Sequence, residues 1–181
     1  MRQRFALAAL AAAALFAASN ASAAFYVDDT TGGPTFDRPF EDFSGLSPSG
    51  LGVVYDSFSF SVDTAGSYVF RSFALPLSAP WDNFLFLYQG SFDANNPLVN
   101  GIAGNDDFNA TIGRSGFEIS LATGVAYTLV TAGFESDEMG RYVNVIRGPG
   151  EITAPVPEPE TYAMMLAGLA AIGFLARRRR S

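Results

Sequence analysis

The chain has 181 residues with eighteen acids, eleven arginines, no lysine, no cysteine and no histidine, and a net charge of −7 at pH 7. These absences exclude disulfides, thiolate or imidazole zinc sites, His-assisted serine or cysteine nucleophiles, Schiff-base lysines and a P-loop lysine. The negative charge also argues against nucleic acid and anionic lipid headgroups as partners.

At the start, Arg2 and Arg4 precede an apolar run over residues 5–18 and the small-residue site Ala21-Ser22-Ala23. That is the pattern of a secretory signal peptide, an apolar helix removed by signal peptidase. Cleavage after Ala23 assigns residues 1–23 to the signal, and Ser22-Ala23-Ala24 offers the same pattern one position on. Residues 24–154 then form one exported domain, long enough to bury a core of its own. It holds sixteen of the acids and five of the arginines, a net charge of −11. Outside the cell such a field attracts calcium first.

Residues 28–51 are rich in Gly, Pro, Ser and Asp and read as an irregular leading segment with one edge strand near residues 35–43. Phe36, Phe40 and Phe43 recur at helix-like spacing, but Pro34 and Pro39 oppose a helix, so the rings are expected as core anchors. Ser57-Phe58-Ser59-Phe60-Ser61-Val62 alternates with period two and predicts a half-buried strand. Asp63-Thr64-Ala65-Gly66 supplies turn chemistry before Tyr68-Val69-Phe70-Arg71-Ser72-Phe73, so the two segments are expected to pair as a hairpin. Phe84-Leu85-Phe86-Leu87-Tyr88 is short and continuously apolar, which predicts a strand buried on both faces. Further strands are expected over residues 117–121, 125–131 and 141–147. Together the pattern is all-β, an antiparallel β-sandwich or jelly roll, with a closed barrel as the other option.

Residues 90–114 read as one long connection, the place where a small domain carries function or a ligand-ordered loop. Its oxygen-bearing residues, with Asp82 ahead of the apolar strand, give Asp82, Asp93, Asp106 and Asp107 as candidate calcium ligands, because a hard cation takes six to eight oxygens. No strict EF-hand spacing is present, and Asp and Asn also favour solvated turns for the sake of their local backbone bonds. A calcium here would rigidify the loop and add folding free energy. Trp81 reads as a core plug at a strand entrance, the alternative being a platform for a sugar ring.

The order from Asp82-Asn83-Phe84-Leu85-Phe86-Leu87-Tyr88 through Phe92-Asp93 and Asn105-Asp106-Asp107 to Gly140-Arg141-Tyr142 and Gly148-Pro149-Gly150 resembles bacterial pre-peptidase C-terminal domains and related CUB-like modules. The resemblance implies a secreted β-sandwich, in some members with calcium on loop aspartates.

Behind the domain, residues 155–181 contain Pro157-Glu158-Pro159, an apolar run over residues 162–176, and Arg177, Arg178, Arg179 and Arg180. A helix of about fifteen residues rises only ~23 Å, short of the ~30 Å hydrocarbon core, so it spans by thinning the bilayer or by letting its arginines snorkel. Clustered arginines stay on the cytoplasmic side and leave the preceding domain outside. This tail resembles the PEP-CTERM sorting signal of Gram-negative bacteria. The resemblance implies export, transient tethering to the inner membrane, cleavage near the Pro-Glu-Pro motif by an exosortase, and release to the cell surface or extracellular matrix, the setting of a biofilm. The expected function is therefore that of a non-catalytic envelope or matrix protein. Two other classes stay open: a module binding exported polysaccharide, and a small glycan-active enzyme using paired carboxylates.

Overall fold

The computed structural model describes residues 22–77 and 80–154, together with Leu169. Residues 1–21 of the expected signal peptide and, Leu169 apart, the expected membrane helix over residues 162–176 lie outside them. Among the described residues no helix is long and apolar enough to cross a membrane.

The described residues form ten strands in two antiparallel sheets. They are β1 (Ser22–Asp29), β2 (Thr35–Phe36), β3 (Val53–Val62), β4 (Gly66–Ala74), β5 (Asn83–Gln89), β6 (Gly101–Asn105), β7 (Arg114–Leu121), β8 (Ala126–Gly133), β9 (Arg141–Gly148) and β10 (Ile152–Thr153). One sheet has the order β1-β9-β4-β7; the other runs β10-β3-β8-β5-β6, with β2 added beside β3. The all-β, antiparallel sandwich expected from the strand patterning is the observed architecture.

Period-two alternation makes the main core. Phe60 and Val62 of β3, Leu85 and Leu87 of β5 and Leu129 of β8 face Tyr68 and Phe70 of β4 and Ile146 of β9. Each such side chain contributes about 1.5–3 kcal/mol on leaving water. A second cluster lies on the outer face of the larger sheet, where Phe84, Phe86, Tyr88 and Val130 are covered by Phe36, Phe43 and Phe92. Strand β5 is therefore buried on both faces, as its continuous apolar run predicts. Of the three leading-segment rings, Phe36 and Phe43 anchor this layer, whereas Phe40 is exposed.

The expected hairpin of residues 57–62 and 68–73 does not form. Strand β3 pairs with β2, β8 and β10, and β4 pairs with β7 and β9. The turn crosses from one sheet to the other, because both segments carry aromatic faces that bury more against each other than side by side: Phe60 and Phe70 sit 6.0 Å apart across the core. The turn at residues 122–124 crosses in the same way from β7 to β8.

The outer face of the smaller sheet has no covering layer among the described residues. Register places Phe25, Val145 and Arg71 in one row, Val27, Val143 and Phe73 in the next, and Ala23, Arg147 and Val69 in a third. Phe25 is 75% exposed.

Candidate functional site

Strand β6 interrupts the connection that the sequence predicts as one long loop. It pairs with β5 so that Leu85 opposes Asn105. Since Asp82 immediately precedes β5 and Asp106-Asp107 immediately follow β6, antiparallel pairing delivers all three acids to one end of the sheet. The glycines of β6 permit this: a Cβ at Gly101 would meet the Phe43 ring at 2.1 Å, and one at Gly104 the Glu41 carbonyl oxygen at 2.7 Å.

Asp82, Asp106 and Asp107 each present a carboxylate oxygen within 4.8 Å of the others. One Oδ1 of each is buried and has no hydrogen-bond partner. Two further carboxylates, which the sequence reading missed, frame the group. Glu41 accepts the Asp106 backbone N–H at 2.8 Å, and Glu138 accepts that of Asp82 at 2.7 Å. Only the folded chain brings these positions near residues 82 and 106, so no local spacing could have flagged them.

Burial raises the Asp106 carboxyl to about 7, with Asp82 and Asp107 adding repulsion against the pull of Arg38. Burial also raises Asp82, helped by Asp107 and Glu138 and opposed by a Gly113 backbone hydrogen bond and by Arg38. Arg38 is buried between the rings of Phe84 and Phe134, at 4.6 and 4.5 Å. Its guanidinium donates to the Phe134 and Pro39 carbonyl oxygens and to Ser49 Oγ. Beside it a cavity of about 210 Å³, lined in part by Arg38, Glu41 and Asp106, reaches the cluster. Three clustered anionic oxygens that lack protein donors are the donor set a hard cation takes, with backbone carbonyls and water able to complete its shell.

Asp93 does not join them. It follows the far end of β5, and a strand of seven residues spans roughly 20 Å. Its carboxylate accepts from the Asn95 backbone N–H at 2.9 Å and from Asn96 Nδ2 at 2.8 Å, which closes its own turn.

Between the acid cluster and the apolar core lies a polar rung. Asn83 Nδ2 donates to Ser72 Oγ at 2.7 Å, and Asn144 Nδ2 donates at 2.8 Å to both Tyr26 Oη and Thr131 Oγ1. Tyr142 donates its hydroxyl to Asp56 at 2.5 Å. Trp81 is half-buried; its indole N–H donates to the Arg141 carbonyl oxygen at 3.0 Å, and a Cβ at Gly140 would meet the ring at 2.9 Å. Tyr88 and Tyr142 are buried, so with Trp81 they form no exposed row of rings.

Ala23, after which signal cleavage is expected, lies in β1 opposite Arg147, and Ala24–Asp29 beyond it also pair with β9. Ala21, Pro157, Glu158, Pro159, Arg177, Arg178, Arg179 and Arg180 lie outside the described residues.

No curated protein matches the chain. Among solved structures it is similar to a family 35 carbohydrate binding module from an environmental isolate, at 13% identity and a TM-score of 0.38, with 74% of this chain and 99% of that one covered. The family model described as the PEP-CTERM protein-sorting motif matches residues 155–180, so the chain carries this sorting motif directly behind its β-sandwich.

Proposed function

We propose that this is an exported, non-catalytic component of the cell envelope or extracellular matrix, with the β-sandwich as its working part and the tail as an address read by an exosortase. The match of residues 155–180 to the PEP-CTERM motif carries the reading, since that motif implies exosortase processing and export to the envelope or surface. In this account signal peptidase cuts after Ala23. Residues 162–176 then hold the chain in the inner membrane with Arg177–Arg180 on the cytoplasmic side. Exosortase cuts near Pro157-Glu158-Pro159 and ends the tethering. Replacing those three residues with alanine in a host that has an exosortase tests this. The native chain should leave the membrane fraction and the variant should stay; equal release of both contradicts the reading.

Within the sandwich, Asp82, Asp106 and Asp107 are assigned to a calcium ion that fastens the β5 and β6 ends together. Their buried, unpartnered oxygens support this. An exported domain without cysteine gains from a metal the cross-linking that disulfides supply elsewhere.

A further inference from the structure

The chain treats its two outer sheet faces differently. It covers the apolar outer face of the larger sheet with its own leading segment and with Phe92, and among the described residues leaves the face made by Phe25, Val27, Val69, Phe73, Val143 and Val145 open. Charge is divided just as unequally. The four strands of the open sheet carry Arg71, Arg114, Arg141 and Arg147 against Asp28, Asp29 and Glu118, so thirteen of the domain's sixteen acids and only the buried Arg38 lie elsewhere. The net charge conceals this polarity.

We propose that this face rests on an anionic bilayer surface while the tail holds the chain there. An apolar surface rimmed by arginines suits headgroups and acyl chains together: Phe25 and Val27 enter the interface, and Arg114, Arg141 and Arg147, all exposed, meet lipid phosphates. Arg71 supports the face without reaching outward. It donates to the Phe70 and Phe117 carbonyl oxygens and stacks over Phe108 at 3.7 Å, walling a groove of about 260 Å³ with Val69, Phe73, Val145 and Arg147. A sugar chain would need more hydrogen-bonding groups than this face offers, and a second copy would set arginines against arginines.

The tether favours the same orientation. The last strand among the described residues, β10, lies beside β1, the strand bearing Phe25 and Val27. Seven residues, 155–161, separate Ala154 from the apolar run, so the chain leaves the bilayer no farther than roughly 25 Å away. The layer covering the opposite face carries Asp37, Glu41, Asp42 and Asp93 and is repelled by the same headgroups, which favours the domain lying face-down. This inference rests on the tail acting as a membrane tether.

Because the chain has no cysteine, a single thiol can report on each face. The full chain is reconstituted into phosphatidylethanolamine–phosphatidylglycerol vesicles with a polarity-sensitive dye on Val27→Cys or, on the acidic layer, on Asp42→Cys. The dye at position 27 should shift to the blue and be quenched by a bilayer-embedded nitroxide, while the dye at 42 stays in water. Replacing Arg141 and Arg147 with glutamine should lower the membrane-facing population roughly fivefold or more. The proposal is overturned if the chain floats with the vesicles while position 27 remains in water, or if phosphatidylcholine vesicles give the same response. It is also overturned if position 27 is covered without vesicles in proportion to protein concentration, or by a soluble acidic polysaccharide and not by lipid. A chain that does not float at all sinks the tether as well.

Discussion

Asp82 and Asp106 reach the same end of the larger sheet from opposite directions, one entering β5 and the other leaving β6, and each keeps a buried carboxylate oxygen without a hydrogen-bond partner. Their charges oppose folding unless a proton or a cation intervenes.

Calcium should raise the melting temperature of the chain. At a hundredfold excess over its dissociation constant a ligand adds about 2.7 kcal/mol, worth roughly 10 °C in a domain of this size. Asp106→Asn should abolish most of that rise and also lift the chelated melting point by a few degrees, since it removes like-charge repulsion. Thermal melts with calcium and with chelator read both effects; an unchanged midpoint in the native chain counts against the ion.

The chelated protein should lose stability as pH rises from 5 to 8. Burial holds the Asp106 carboxyl at about 7, above its unfolded value near 4, so the folded state binds the extra proton. That contribution is complete below the unfolded value and is lost as pH climbs through the folded one. Asp93, held low by its bonds to Asn96 and Asn95, is ionised throughout this window and does not mask the trend. Since calcium requires the deprotonated carboxylate, its stabilising effect should grow over the same range. Denaturant midpoints at several pH values, with and without calcium, test the crossing of the two trends.

Phe86→Ala should cost about 3–5 kcal/mol. The ring is fully buried, stacked 4.4 Å from Phe84 and met edge-on by Phe36 and Phe43. Phe25→Ser should change stability in solution by less than about 0.5 kcal/mol, because that ring is already in water. Chemical denaturation separates the two, and a large loss at Phe25 would mean that the open face is covered in the free protein.

The sequence was legible where a physical pattern is local. Alternation over residues 57–62 and the apolar run over residues 84–88 disclosed strands and burial, because period and composition act within a few residues. Which sheet each strand joins was not legible, since Asp63-Thr64-Ala65-Gly66 turns the chain equally well within a sheet or between two. Strand β6 was hidden by glycines that are there for the close approach of Phe43 and the Glu41 backbone, a requirement set by residues far away in sequence. Strand β1 was hidden beside the signal-cleavage pattern. Asp82, Asp106 and Asp107 were recognisable by type, but their meeting, and the exclusion of Asp93, depended on β5 and β6 pairing.

The intact mass of the exported protein tests the central claim most directly. Processing at the sorting motif predicts a chain that begins near Ala24 and ends near Pro157-Glu158-Pro159, without the apolar run or the arginines. Exported material that still carries Arg177, Arg178, Arg179 and Arg180 would contradict it.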